Sequence, residues 1–233
     1  GGWDNRCFRL GDELLVRLPS AAAYAPQVDR EQRWLPWLGP QLPMRIPEPV
    51  ARGEPGCGYA WAWSIYRWID GQPLSMAGGI DLAPIARQLG GFLASLHRIN
   101  ASAGPAPGVD NFHRGGSLGV YDGETRRAIE TLASRVDAAA LLRVWERGIE
   151  STWSRPPVWV HGDISAGNLL VNGGALAGVI DFGQLAVGDP ACDLAIAWRD
   201  FDEGARREFR AALPLDPATW SRGRAWAIWR AVI

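Results

Sequence analysis

The sequence predicts an α+β fold of two lobes, a small β-rich lobe at residues 1–69 and a larger helical lobe at 70–233. Three observations predict it. The chain opens on two short apolar runs around a turn, "RCFRL" and "ELLVRL" about Gly11-Asp12, as a β-hairpin requires. Its middle carries apolar residues at three- and four-residue steps, the period of a helix packed on a core. Between two helical regions lies "VWVHGDISAGNLLVNGGALAGVIDFGQ", where apolar stretches too short for helices alternate with polar turns.

In chain order, "APQVDREQRWLPWLGPQL" reads as helical in its first half. Pro43, Pro47 and Pro49 then impose extended chain until "YAWAWSIYRWIDG" supplies an aromatic strand ending at Gly71. "DLAPIARQLGGFLASLHRIN" sets Leu82, Ile85, Ala86, Leu89, Phe92, Leu93 and Leu96 on one helix face, with Asp81 as N-cap. A Gly- and Pro-rich loop (101–119) leads to a second helical region over 122–153. The runs "PVWVHGD", "NLLV" and "LAGVIDFG" read as small strands, and "EGARREFRAAL" and "WSRGRAWAIWRAVI" as helices flanking a loop at 214–217. No internal repeat is visible. Both ends read as cut, "GGWDN" having no preceding element and "AIWRAVI" no stop signal.

Composition narrows the function classes. A net charge of -1 without runs of like charge provides no field that would favour nucleic acid or an anionic membrane. No apolar run approaches the ~20 residues of a membrane span, and Cys7, Cys57 and Cys192 form neither a metal knuckle nor a disulfide frame. The expectation is a cytoplasmic protein. All 24 basic residues are arginine, which excludes Schiff-base chemistry on a lysine side chain.

Three features argue for phosphoryl transfer to a hydroxyl. "HGDISAGN" presents Asp163 and Asn168 at the D-x-x-x-x-N spacing that separates a nucleophile-orienting acid from a Mg²⁺ ligand. "DFG" then supplies Asp181, a second hard oxygen ligand suited to Mg²⁺ with nucleotide phosphates. Arg17 on an early strand and Glu31 on the next helix follow the order of the strand cation and helix acid that hold nucleotide phosphates.

On "HGDISAGN", "VIDFGQLAVGDPACDLA", "VRLP" and "YRWIDGQPL", covering nearly the whole chain, the sequence resembles the aminoglycoside phosphotransferase family. This family is related to protein kinases and includes macrolide phosphotransferases and, more distantly, choline and fructosamine kinases. The resemblance implies a two-lobed protein-kinase-like fold. It implies that Asp163 is the catalytic base or hydroxyl-orienting group and that Asn168 and Asp181 bind Mg²⁺. Arg17 and Glu31 would hold the phosphates of ATP or GTP, and the backbone near Tyr66, Trp68 and Ile69 the nucleobase. Asp193 would support the catalytic loop from below, with Asp189 structural. The partners expected are a nucleoside triphosphate and a small hydroxyl-bearing acceptor of aminoglycoside or macrolide type. A metabolic kinase for a sugar, amino alcohol or amino acid, and a non-catalytic nucleotide-binding protein, are the alternatives.

Three departures accompany the resemblance. Arg17 stands where protein kinases use lysine, "GGWDN" lacks a complete glycine-rich flap, and Gly162 replaces the arginine that would read an activation-loop phosphate, implying constitutive activity. Bland readings compete at other positions. His161 and His97 read as structural, Arg67 equally as a solvated strand residue or a ligand contact, and Trp61, Trp63 and Trp68 as packing rather than stacking on a nucleobase. Arg17–Glu31, taken alone, is an ordinary surface ion pair. Asp200, Asp202 and Glu203 are either helix-start charges or the lining of an acceptor pocket.

Overall fold

A computed structural model describes residues 4–233; Gly1 and Gly2 of the incomplete flap motif lie outside them. The first lobe is a four-stranded antiparallel sheet in the order β1-β2-β4-β3. Its strands are β1 (Asn5–Leu10), β2 (Leu14–Pro19), β3 (Pro49–Gly53) and β4 (Trp63–Arg67). Helix α1 (Pro26–Leu38) follows β2 and begins with proline at its first position, where the missing N–H is no loss. The registers Leu15↔Tyr66 and Arg17↔Ser64 place these four residues on one sheet face. α1 lies against that face: Gln32 Nε2 donates to Ser64 Oγ at 2.9 Å, and Tyr66 donates its hydroxyl to Glu31.

β3 is an addition to the expected extended chain. It occupies a sheet edge and starts at Pro49, the position in a strand where a missing N–H is tolerated. The aromatic strand is shorter than its sequence pattern, because Trp61 belongs to a turn-rich segment in which Tyr59 donates to the Pro19 carbonyl.

The chain crosses to the second lobe through β5 (Gln72–Pro73), which pairs with β7 (Leu169–Asn172); β7 forms a hairpin with β8 (Ala175–Val179). From the other side Val179 N donates to Arg45 O at 3.0 Å, so the hairpin that frames the site is tied both to the crossing segment and to the first lobe. β6 (Val158–Val160) pairs with β9 (Ala186–Gly188), a three-residue strand too short to carry a pattern of its own.

Helix α2 (Leu82–Arg98) runs through the core. Asp81 caps it as expected, accepting from Ala83 N at 3.0 Å. Six of the seven residues of its expected apolar face are buried and Leu82 is half-buried. The 122–153 region is two helices, α3 (Asp122–Thr131) and α4 (Ala138–Ile149). The short α5 (Ile196–Arg199) is followed by α6 (Glu203–Ala212) and α7 (Pro217–Val232). α2 and α6 approach so closely at Gly90 that a Cβ there would sit 2.7 Å from Ala212 Cβ.

One apolar cluster extends from Leu35 and Leu38 of α1 through Leu89, Phe92 and Leu93 of α2 to Ile164, Leu169 and Phe182 beside the polar turns. A second joins Trp145, Val160, Cys192 and Trp226. The polar turns are therefore held by both cores. Asp189, expected to be structural, pairs with Arg222 of α7: Nε donates to Oδ2 at 2.6 Å and Nη2 to Oδ1 at 3.2 Å. Because both are buried, Arg222→Met strands a carboxylate and is expected to lower unfolding free energy by about 3–5 kcal/mol, measurable by chemical denaturation. Among the described residues no helix is long and apolar enough to cross a membrane.

Candidate active site

Arg17, Glu31, Tyr66 and Asp181 converge from β2, α1, β4 and the turn after β8. Arg17 Nη1 donates to Glu31 Oε1 at 2.8 Å and Oε2 at 3.1 Å, and Nη2 pairs with Asp181 Oδ1. The surface-pair reading of Arg17–Glu31 is overturned, since Arg17 is 9% exposed and Glu31 2%. Burial would lower the Arg17 pKa, but Glu31 and Asp181 more than offset it and hold the guanidinium protonated. Burial, then Glu31, pushes the Tyr66 hydroxyl well above its usual pKa, so it remains a donor. Tyr66 was expected to contribute backbone to a base; its side chain belongs to this ion-pair network.

The loop after β6 is held from beneath by Asp193, which is fully buried and accepts from His161 N at 2.8 Å and Gly162 N at 2.7 Å. Two further bonds define His161. Its Nδ1 accepts from Asp163 N at 3.1 Å, leaving Nε2–H to donate to Ile180 O at 3.0 Å. Both ring nitrogens are thus spent on structure. Gly162 adopts φ +87°, and a Cβ there would lie 2.5 Å from Gln184 O. The loop geometry thus excludes the side chain that its protein-kinase counterpart carries.

Asn168 donates Nδ2 to Asp163 O at 2.8 Å and to Asp163 Oδ2 at 3.2 Å. Ile180 N donates to Asn168 O at 2.9 Å, joining the Asp163 loop to the Asp181 turn. Asp181 has φ +70°, a left-handed conformation that Asp and Asn tolerate better than most residues. Burial alone would raise the Asp163 carboxyl, but Arg230, followed by His161 and Arg114, holds it below the ordinary carboxylate value.

These residues face a cleft of about 630 Å³ between the lobes, lined by Arg17, Tyr66, Trp68, Ile69, Asp163, Asn168 and Asp181 among others. All the expected site residues except Glu31 line it, and Glu31 sits one layer behind Arg17. Along Tyr66–Ile69, Arg67 N donates to Glu48 O and Trp68 N to Glu13 O, leaving the Ile69 peptide as the segment's open donor among the described residues. Trp63 packs against Gly53 and Trp61 against Tyr59, whereas Trp68 borders the cleft with Arg9 over its ring. Arg67 is exposed beside Glu13 and Glu48.

Two hard oxygens suit a cation here. Asn168 commits its nitrogen to Asp163, which frees Oδ1, and only Oδ1 of Asp181 is bonded among the described residues. No cluster of three or more His, Cys, Asp or Glu that could hold a metal occurs among the described residues. The donor set fits Mg²⁺ completing its shell with phosphate oxygens and water. Of the three acids considered for the acceptor side, Asp202 caps α6 and Glu203 pairs with Arg207. Asp200 is half-buried, and burial raises the pKa of its carboxyl. Residues with no recognisable signal in the sequence also meet here: Arg230 and Arg114 flank Asp163, and Gln184 accepts from Arg114 Nε at 2.7 Å.

A two-lobed kinase-like fold with such a cleft is an architecture of phosphotransferases. The profile of the phosphotransferase enzyme family matches residues 1–226, and the chain belongs to that family. Its fold is that of solved antibiotic phosphotransferases. The GDP and kanamycin complex of APH(2″)-IIIa superposes with TM-score 0.71 at 19% identity, covering 100% of this chain and 82% of that one. The streptomycin–ATP complex of APH(2″)-IIa gives 0.66 at 19%, covering 97% and 79%. The macrolide 2′-phosphotransferase MphH from Brachybacterium faecium gives 0.64 at 21%, covering 96% and 79%. No curated protein matches the sequence.

Proposed function

We propose that the protein transfers the γ-phosphoryl group of ATP or GTP to a hydroxyl of a small molecule, with aminoglycoside or macrolide antibiotics as the acceptor class. The observation that carries this reading is the meeting of Asp163, Asn168, Asp181 and Arg17 in one cleft between the lobes. Arg17, fixed by Glu31, faces the phosphates with a charge that does not titrate. Asp163 accepts a hydrogen bond from the acceptor hydroxyl and aims its oxygen at the phosphorus. Its depressed pKa suits an orienting role, with the proton leaving late, as a loose transition state permits. Asn168 Oδ1 and Asp181 would hold Mg²⁺, which when bound supplies charge neutralisation at the phosphate oxygens. The Ile69 peptide is the expected contact for the nucleobase, and the relatives crystallised with GDP and with ATP support a nucleotide donor.

The test is a coupled nucleotide-turnover assay over a panel of aminoglycosides, macrolides, sugars, amino alcohols and amino acids, with resistance profiling of cells expressing the protein. Phosphorylated antibiotic and raised resistance are expected. Turnover confined to the metabolic acceptors would reassign it as a metabolic kinase, and absence of transfer or hydrolysis across the panel would reassign it as a non-catalytic nucleotide binder.

A further inference from the structure

Helix α7 carries Trp226, Trp229 and Arg230 at i, i+3 and i+4, one face of its last turns. That face meets the catalytic loop. Arg230 Nη2 lies 2.6 Å from Asp163 Oδ1 and donates to Gly162 O at 2.9 Å, and Nη1 reaches Ile164 O at 3.4 Å. One guanidinium therefore spans the carboxylate and the carbonyls on either side of it, in a side chain only 7% exposed.

Arg114 stands beside this arrangement, its guanidinium 4.6 Å from the Trp229 ring centre and 5.1 Å from that of Trp226. Burying two cations near one carboxylate is unfavourable by desolvation and mutual repulsion. A carboxylate needing only charge balance would not require a second guanidinium close by. The single Nη2 contact on Oδ1, braced by the Gly162 and Ile164 carbonyls, fixes the plane and rotamer of Asp163, and Oδ2 is left in contact with the Asn168 amide alone among the described residues.

We propose that Arg230 is a positioning residue of the transfer reaction, a clamp from the last turn of α7 that orients Asp163 so that Oδ2 receives the acceptor hydroxyl. The inference rests on the phosphotransfer reading of the cleft. Arg230 touches neither the phosphate corner nor the base-binding segment, so its loss acts on the chemical step. Lysine at this position places one ammonium where three oxygens are now bridged, and recovers the function only in part.

The experiment measures kcat and KM for Arg230→Met and Arg230→Lys with the acceptor that the wild type turns over best. A fall of about 10²-fold in kcat for Arg230→Met, the scale of a 1 Å misplacement, is expected, with KM for nucleotide unchanged and Arg230→Lys intermediate. Added guanidinium chloride at low concentration restores part of the Arg230→Met rate and none of the Asp163→Asn rate. Full kcat in either Arg230 variant, or a loss appearing only in KM, overturns the clamp. Where Arg230→Met fails to unfold cooperatively, Arg230→Lys carries the same decision. A wild type that transfers to no acceptor defeats the phosphotransfer reading instead. The contact is then decided by a double-mutant cycle of Arg230→Lys with Asp163→Asn on denaturation midpoints, where additive shifts refute the Arg230–Asp163 pairing and non-additive shifts support it.

Discussion

Asp163→Ala is expected to reduce turnover by about 10²- to 10⁴-fold, the usual contribution of one positioned acid or base, while leaving nucleotide affinity unchanged. The asymmetry follows from its contacts. Asp163 touches Asn168, Arg230 and, through its backbone, His161, none of which belongs to the Arg17–Glu31–Tyr66 corner. Deleting the carboxylate also leaves Arg230 buried without its anion, so some loss of stability accompanies the loss of rate. Asp163→Asn separates the two, because the amide keeps the shape and one acceptor oxygen while removing the charge. Calorimetric titration with Mg²⁺-nucleotide, beside steady-state rates for both variants, provides the check. Loss of binding equal to the loss of rate would place Asp163 at the donor and refute its acceptor-side role.

Asp181 is expected to behave differently. Replacing it weakens both nucleotide binding and turnover, since its carboxylate is at once the second anion on Arg17 and one of two hard oxygens at the cleft. A hydrogen bond to a charged group contributes about 1.5–3 kcal/mol, so the affinity should fall by at least about tenfold. The left-handed backbone at this position matters to the design. Alanine adds conformational strain at φ +70°, whereas asparagine accepts it. Asp181→Asn thus isolates the charge, and Asp181→Ala adds a backbone penalty visible in thermal stability. Unchanged metal-nucleotide binding in both variants would remove Asp181 from the metal-binding assignment.

The legible parts of the molecule share a local cause. The α2 face repeats within one helix, Asp81 announces its cap two residues ahead of the amide it receives, and Asp163 with Asn168 lie in a single loop whose spacing survives any tertiary arrangement. Asp193 and Asp189 took their structural roles from the resemblance, and the buried bonds to His161, Gly162 and Arg222 give those roles a mechanism. What escaped is long-range or short. Arg230 reaches the catalytic loop across 67 positions of chain (230 − 163) and looks, within "AIWRAVI", like any solvated helix arginine. The Tyr66 hydroxyl meets Glu31 only because β4 lies beside β2 under α1, an adjacency set by strand order rather than by any residue in the segment. β9 is three residues long, too few to resolve a hydrophobic period, and β3 opens on Pro49 in a proline-marked stretch that reads as extended chain.

Placing a guanidinium where an ammonium is usual has a practical outcome for anyone labelling this site. Nucleotide reagents that acylate a neutral amine near the phosphates depend on a nucleophile that loses its proton, and Arg17, clasped by Glu31 and Asp181, holds its proton more tightly than a free arginine. With 24 arginines and no lysine, the chain has no side-chain amine to intercept such a probe elsewhere. On the proposed phosphate-facing role of Arg17, acyl-phosphate probes are expected to leave the side chains of residues 1–233 unlabelled, and the search for the acceptor belongs with reversible ligands and direct detection of the phosphorylated product.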